Sequence, residues 1–366
     1  MTSADWRSRI RRYAPLIALS LASTLMTLLA LELGFRLARS ELFSTEHLLL
    51  NAKRDQKASF FDRDPILGWV PRPQTRVTGR ELGWDKKTDL PGTAQAAVVT
   101  TLDDGLRSNG SDVDRAERPV ILTVGDSFTF GAQVSDHDSW PSVLEHSLGV
   151  RVLNGGVSGY GLDQAILRAE QLAPKYQPDL LIVSFINADL LRTTTSSRDM
   201  APKPYFRVRE GALEFANTPV PPPEDRMDLF RRVFGHSRFV GAIMDQLNPR
   251  YWREGPLRET LQSEDEIGCL LMARLEKLGR RMGSEVLVML QKARPGEPPN
   301  PSGDHVLSCA EERGLSTLNL FPILDGIAMA DPMHQAALFF GHMTPLGNEF
   351  VAEVLAHEIH EKQWLK

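Results

Sequence analysis

The stretch PVILTVGDSFTFG, residues Pro119–Gly131, decides the fold. Its first part, Val120–Val124, is a short apolar run of the kind that forms a buried strand in a parallel sheet. Ser127 follows this strand after only two residues. Open α/β folds bind their ligands at the carboxyl ends of the strands, so the Ser127 hydroxyl is a candidate nucleophile. A strand-ending turn without chemistry is the alternative interpretation.

Short apolar runs and helical stretches alternate through the rest of the chain. This alternation predicts an α/β fold, a three-layer α/β/α sandwich around a central parallel sheet of about five strands. The predicted strands are Val120–Val124, Val150–Leu153, Leu180–Phe185, Val286–Leu290 and Thr317–Leu320. The predicted helices are Ser139–Leu148, Asp163–Ala173, Glu264–Met282, His305–Arg313 and Pro345–His360.

The alternation breaks between residues 191 and 262, which we interpret as an insertion. Two short β-like runs flank Glu210-Gly211 and predict a hairpin. Further on, Leu229–Met244 has a helical period that carries aromatic residues and arginines. We expect an ordinary packed helix there, with a lid or a membrane contact as the alternative.

The amino terminus carries an apolar segment long enough to cross a bilayer. The 19 residues from Tyr13 to Leu31 are uncharged and extend over about 28 Å as a helix, against about 30 Å of hydrocarbon. We expect a transmembrane helix over residues 13–36, although a buried core helix or a cleaved signal peptide has the same composition. The basic residues are Arg7, Arg9, Arg11 and Arg12 before the segment, and Arg36 and Arg39 after it.

This excess of positive charge before the segment predicts a cytoplasmic amino end and an extracytoplasmic main domain, which in a bacterium is periplasmic. The expected organisation is a cytoplasmic end (1–12), an anchor in the lipid bilayer (13–36), a membrane-proximal irregular and partly β segment (37–115) and the main domain (116–366). Cys269 and Cys309 are the only cysteines. They lie on helices that flank one predicted strand, so we expect them to be close, either as a disulfide or as two buried thiols.

Composition excludes some functions. The chain has 42 basic and 47 acidic side chains, a net charge of −5, so it lacks the basic field of a nucleic-acid-binding protein. Its His, Cys and acidic residues show no metal-ligand spacing in sequence. We expect no metal and no organic cofactor.

The Ser127 segment resembles the first signature block of the SGNH (GDSL) hydrolases, whose fold is flavodoxin-like. A second block is similar over Val152–Gly159, and Gly341–Asn348 resembles the histidine block near the end of the family's sequences. The resemblance covers about residues 116–362, with the blocks in the family's order. The upstream stretches Asp64–Trp69 and Asp104–Asn109 are similar to regions of anchored members of the family.

The resemblance implies roles for three residues. Ser127 is then the nucleophile and His342 the general base, although 215 positions separate them. The backbone N–H groups of Ser127 and Gly159 form the oxyanion hole. We therefore expect all three residues to meet at the carboxyl edge of the sheet.

Two positions depart from the family pattern. Ala188 stands where the family has an oxyanion-hole asparagine, and Asn187, one residue earlier, replaces it only if the loop bulges. Phe339 stands where the family has the acid that orients the histidine. Asp331 in an upstream loop, or a backbone carbonyl, is the candidate substitute.

Three functions fit these motifs. The first is an esterase or O-acyltransferase that acts through Ser127 and His342 on an envelope ester or an acetylated glycan, a substrate class implied by anchored members of the family. The second is a catalytically degenerate scaffold or accessory subunit of a larger membrane complex, for which the two departures argue. The third is a module that binds an envelope polysaccharide without chemistry.

Overall fold

The computed structural model describes residues 3–38, 48, 60–84, 94–110, 119–198, 201–222, 228–254 and 262–365. The chain forms two compact units, one of Met1–Lys53 with Arg226–Gly255 and one of Arg54–Asp225 with Pro256–Lys366. The expected boundary between residues 115 and 116 falls outside the described residues. Part of the 191–262 insertion, Arg226–Gly255, belongs to the same compact unit as the amino-terminal helix.

The larger unit is built on a five-stranded parallel sheet, as predicted. Its strands are β5 (Val120–Val124), β6 (Arg151–Asn154), β7 (Leu180–Ile186), β12 (Glu285–Gln291) and β13 (Ser316–Asn319), numbered among all strands in chain order. Their order across the sheet is β13-β12-β7-β5-β6.

Helices cover both faces of the sheet and complete the three layers. Alternate strand residues point to opposite faces, so Leu122 lies in one apolar core and its neighbour Ile121 in the other. The first core is covered by α4 (Leu162–Tyr176), α9 (Glu264–Met282) and α10 (Pro301–Glu311). The second is covered by α3 (Trp140–Leu148), α11 (Leu320–Ala330) and α13 (Pro345–Lys362).

The remaining elements of the larger unit are short. Its further helices are α2 (Ser127–Phe130), α5 (Asn187–Arg192) and α12 (Pro332–Ala337). Its antiparallel pairs are β1 (Phe61–Asp64) with β2 (Gly68–Pro71), β3 (Arg76–Thr78) with β4 (Val98–Thr100), β8 (Ser197–Arg198) with β9 (Ala201–Pro202), β10 (Tyr205–Arg209) with β11 (Ala212–Ala216), and β14 (Phe339–Phe340) with β15 (His342–Met343). The predicted hairpin around Glu210-Gly211 is thus confirmed.

The segment before the sheet packs closely on the α/β core. The Trp69 indole N–H donates to the carbonyl of Ser158 at 3.1 Å, and the Tyr160 hydroxyl donates to the carbonyl of Trp69 at 2.5 Å. Arg107 is fully buried and donates to the carbonyls of Phe130 and Val134, both at 2.6 Å. This segment is therefore part of the larger unit and supports the loops that carry the candidate site.

The predicted closeness of the two cysteines is confirmed. Cys269 on α9 and Cys309 on α10 form a disulfide, with their Cα atoms 5.3 Å apart. Both helices cover the same face of the sheet, which allows the bond. Neither cysteine is deeply buried, so the alternative of two buried thiols does not apply.

The smaller unit contains the long amino-terminal helix α1 (Ser3–Ala38) and three short helices, α6 (Leu229–Phe234), α7 (Arg238–Leu247) and α8 (Pro249–Glu254). Residues Tyr13–Ala38 of α1 have a mean hydropathy of 2.0 and are not buried. A helix of this length and composition fits either a membrane span or a signal sequence.

Candidate active site

Ser127 begins the short helix α2 two residues after the end of β5. The Asp126 side chain caps this helix by accepting a hydrogen bond from the Phe128 N–H at 2.9 Å. Gly125 permits the tight turn, since a Cβ there would lie 2.5 Å from the carbonyl oxygen of Ser184 on β7. The turn thus holds the Ser127 hydroxyl at the carboxyl edge of the sheet.

His342 reaches Ser127 from the other end of the chain. Its Nε2 atom lies 2.9 Å from Ser127 Oγ, within the range of a nucleophile–base hydrogen bond. His342 stands on β15 just before α13, where Thr344 caps the helix by accepting from the Gly347 N–H. The two residues therefore meet at the sheet edge, as predicted from the sequence.

Gln133 orients the His342 ring. Its Oε1 atom accepts from the backbone N–H of His342 at 2.8 Å and lies 3.0 Å from His342 Nδ1. The backbone N–H is always a donor, so it fixes which end of the amide faces His342. An acceptor oxygen beside Nδ1 requires the proton on Nδ1, which leaves the Nε2 lone pair to accept the Ser127 proton. The ring therefore has the tautomer that a general base needs.

Two charged side chains, Asp126 and Arg192, lie beside Ser127 and His342. Asp126 Oδ2 lies 3.3 Å from Ser127 Oγ and 3.6 Å from the guanidinium of Arg192. Burial lowers the pKa of His342 below its ordinary value of 6.5, and Arg192 adds to this, while the negative charge of Asp126 raises it. The net direction is downward, so His342 is neutral, and able to accept a proton, at neutral pH.

The backbone N–H groups of Ser127 and Gly159 have no acceptor among the described residues. The N–H of Ser127 is at the first position of α2, where no intrahelical acceptor exists. Neither it nor the N–H of Gly159 donates a hydrogen bond within the part of the chain that the structure describes. The loop with Gly159 is tied to the nucleophile turn, because the Val157 N–H donates to the Gly125 carbonyl at 3.0 Å.

Asn187 and Asp331 have partners outside this site. Asn187 Nδ2 donates to Glu297 at 3.4 Å, and its oxygen faces Gly303 at the start of α10. No bulge turns Asn187 toward Ser127, since β7 passes straight into α5 at this residue. Asp331 is exposed and caps α12 by accepting from the backbone N–H groups of Met333 and His334.

Gln133 is the functional candidate that the sequence did not indicate. The sequence offered two substitutes for the acid, the carboxylate of Asp331 or a backbone carbonyl. Phe339, at the acid's position, is instead buried in the second apolar core. Gln133 lies 209 residues from His342, and its left-handed backbone, with φ of 73°, is not evident from residue type. The only local signal was its place in the loop that follows the nucleophile helix.

One group of side chains outside this site has metal-ligand character. Ligand atoms of Cys269, His305 and Cys309 lie within 4.8 Å of one another. Both sulfurs are in the disulfide, so they are not thiolates and cannot bind a metal as such. The arrangement therefore fits a structural bridge beside a surface histidine.

Comparison with known proteins identifies esterases and acylhydrolases. No protein-family model matches the chain. An arylesterase from Vibrio mimicus is 36% identical over 77 residues, which are 20% of this chain and only 38% of that protein. The chain therefore covers less than half the length of this relative.

Similar solved structures include an acetylxylan esterase from Geobacillus stearothermophilus, with 15% identity and a TM-score of 0.40, covering 68% of this chain and 96% of that one. A lipase/acylhydrolase from Enterococcus faecalis has 15% identity and a TM-score of 0.38, covering 68% and 98%. This is the class of protein that the sequence motifs resemble.

Proposed function

We propose that this chain is a serine esterase or O-acyltransferase of the SGNH type. The observation that carries the proposal is the hydrogen-bonded series from Ser127 Oγ to His342 Nε2, and from His342 Nδ1 to Gln133. It provides a nucleophile, a base in the required tautomer and an orienting group. The presence of a side chain that orients His342 favours an enzyme over a degenerate scaffold.

In the proposed reaction, Ser127 Oγ attacks the ester carbonyl carbon while its proton passes to His342 Nε2. The tetrahedral intermediate collapses when the bond to the leaving alkoxide breaks and Nε2 returns the proton to that oxygen. An acyl-serine remains. Water in hydrolysis, or a hydroxyl group in acyl transfer, then attacks the acyl carbon while its proton passes to His342 Nε2. The bond between the acyl carbon and Ser127 Oγ breaks, and Nε2 returns the proton to Oγ.

The N–H groups of Ser127 and Gly159 are the proposed oxyanion donors. Ala188 has no side-chain donor at the position of the family's asparagine, so the hole has two donors. Removal of one donor typically costs about 10²–10³ in kcat. We therefore expect an active but slow enzyme toward simple esters.

The charge balance at His342 also differs from that of a Ser-His-Asp triad. Gln133 orients the ring but carries no charge, so it cannot offset the positive charge that His342 gains during attack. Asp126 does part of this, since its carboxylate is buried beside Ser127 and favours the protonated ring. The fully buried Asp126 is therefore the proposed electrostatic partner of the site.

An ester on an envelope glycan is the proposed substrate class. One solved neighbour is an acetylxylan esterase, which agrees with an acetyl ester on a sugar. The disulfide between Cys269 and Cys309 agrees with an extracytoplasmic, oxidising location, and α1 agrees with an anchor over residues 13–36. These features support, as a proposal, a periplasmic enzyme held at the membrane with its amino end in the cytoplasm.

Activity on an artificial ester tests the proposal. The full chain, purified in detergent, should release acid from p-nitrophenyl acetate and should be labelled at Ser127 by a fluorophosphonate. Both signals should disappear in Ser127→Ala. The protein concentration should be high enough to detect a rate 10³-fold below that of an ordinary esterase. Absence of both signals in the native chain under these conditions would support the scaffold.

Topology needs a separate experiment. Alkaline phosphatase fused after Lys366 should be active in bacterial cells if the main domain is extracytoplasmic, whereas a cytoplasmic reporter fused there should be inactive. The reverse result would show that the proposed orientation is wrong.

A further inference from the structure

Helix α6 of the smaller unit buries a charged side chain and exposes apolar ones, the reverse of a helix on the surface of a water-soluble protein. Its one buried side chain is the charged Arg231, whose Nε donates to the carbonyl of Trp252 at 3.1 Å. Its apolar residues are exposed instead, Leu229 at 76%, Val233 at 55% and Phe234 at 41%. Contiguous exposed apolar surface on a soluble protein marks a contact with a partner or a membrane.

Helix α7, which follows α6 after three residues, also exposes apolar side chains. Its apolar residues fall on one side at helical spacing, and Ile243 and Leu247 among them are exposed, Leu247 at 77%. Arg238 and Gly241 lie on the buried side. The exposed apolar residues of α6 and α7 thus belong to the same compact unit as α1.

Contacts with Glu32 determine where α7 lies along α1. The carboxylate of Glu32, the first charged residue after the uncharged run, accepts from the Ser237 hydroxyl at 2.7 Å and from the backbone N–H groups of Arg238 and Phe239 at 3.0 Å. These donors form the amino end of α7. Glu32 therefore needs no water to satisfy its charge at the end of the apolar run.

Further contacts hold α7 at the same level. The Arg36 guanidinium donates to the carbonyl of His236 at 2.9 Å, and the rings of Phe35 and Phe239 lie 5.5 Å apart. The uncharged run from Tyr13 extends over about 28 Å before Glu32, close to the thickness of a bilayer's hydrocarbon. The amino end of α7 consequently stands where the hydrocarbon would meet the lipid headgroups.

We propose that α6 and α7 form a collar that lies in the membrane interface, with its apolar face in contact with lipid. The residues in contact are Leu229, Phe230, Val233, Phe234, Ile243 and Leu247. The lipid bilayer is the occupant that the geometry favours, because the face is fixed to the anchor helix at the boundary of its apolar length. This inference rests on the proposed membrane span.

Depth-dependent fluorescence quenching tests the collar. Single cysteines replace Phe234, Gln246 or Leu25 in the full chain; the native cysteines are in a disulfide and do not react. Each variant is labelled with the fluorophore NBD and reconstituted in phosphatidylcholine vesicles with brominated lipids. Gln246 is the matched control, an exposed polar residue of α7 beside the apolar stripe, and Leu25 reports on the span itself.

The proposal expects NBD at Phe234→Cys to be quenched at least twofold more strongly than at Gln246→Cys, with strongest quenching by bromines near the headgroups. Strong quenching at Leu25→Cys with none at Phe234→Cys would reject the collar and leave the span intact. No quenching at Leu25→Cys would reject the span. If NBD at Phe234→Cys is not quenched by lipid but becomes shielded from solvent as the protein-to-lipid ratio rises, the apolar residues contact a second copy of the chain. That result would overturn the proposal. Unchanged melting temperatures confirm that each variant is folded.

Discussion

A single oxygen atom, Oε1 of Gln133, accepts hydrogen bonds from both the backbone N–H and the Nδ1–H of His342. One amide thus positions the loop of the base and the plane of its ring together. In a Ser-His-Asp triad a carboxylate has this place. The amide of Gln133 holds the same orientation and tautomer of the His342 ring, but it lacks the negative charge of a carboxylate.

Replacement of Gln133 should therefore reduce catalysis more than substrate binding. We expect Gln133→Ala to lower kcat for p-nitrophenyl acetate by about 10²-fold, with little change in KM, because the ring loses its orientation and its fixed tautomer. Steady-state kinetics measure both constants.

Gln133→Glu is the matched control for that variant. A carboxylate at this position accepts the same two hydrogen bonds, so activity should be retained. Its negative charge should also raise the pKa of His342 and move the acid limb of the pH profile upward. Equal loss of kcat in both variants would show that Gln133 has only a structural role.

Gly341 is the residue that lets Gln133 approach. Its φ is 78°, and a Cβ atom there would lie 2.9 Å from Oε1 of Gln133. We expect Gly341→Ala to displace the amide and lower kcat by at least about tenfold. Gly296→Ala is the control, since Gly296 has a φ of 66° but nothing within 4 Å of the added carbon. It carries similar backbone strain, and its kcat should remain unchanged.

The sequence predicted the framework of this site because strands and helices follow from local patterns. The five apolar runs became the five strands of the sheet, and α9 has its predicted bounds, Glu264–Met282. The motifs also indicated Ser127 and His342. Each of these depends on residues that are adjacent in sequence.

What the sequence did not show depends on contacts between distant segments. Gln133 reaches His342 through a left-handed turn, and the docking of Glu32 on α7 joins residues about 205 positions apart. The helix predicted over Leu229–Met244 became two short helices, α6 and α7, which belong to the same compact unit as α1. No periodicity within one segment contains this information.

The pH dependence of ester hydrolysis should reflect the neutral state of His342. Burial lowers its pKa below 6.5, so kcat/KM should rise with pH through a midpoint below 6.5 and then stay level through neutral pH. A midpoint above 6.5 would contradict the environment described for the ring.

Asp126→Asn changes one charge at the same site. The Asp126 carboxylate raises the pKa of His342, so its removal should move the midpoint further down. Asparagine also caps helices, so the turn should be kept. We expect kcat to fall at every pH, since the protonated ring loses the attraction of the Asp126 carboxylate. An unchanged midpoint would show that Asp126 has no electrostatic role.

The disulfide should contribute measurably to stability. Cys269 and Cys309 close a loop with a sequence separation of 40, which corresponds to about 4 kcal/mol of free energy of unfolding from restricted chain entropy. We expect Cys269→Ser to lose this amount in urea denaturation of the full chain. Dithiothreitol should lower the stability of the native chain similarly and leave that of Cys269→Ser unchanged. In cells, thiol trapping should recover the native chain with both cysteines oxidised. Reduced cysteines in cells would instead place the larger unit in a reducing compartment and oppose the proposed periplasmic location.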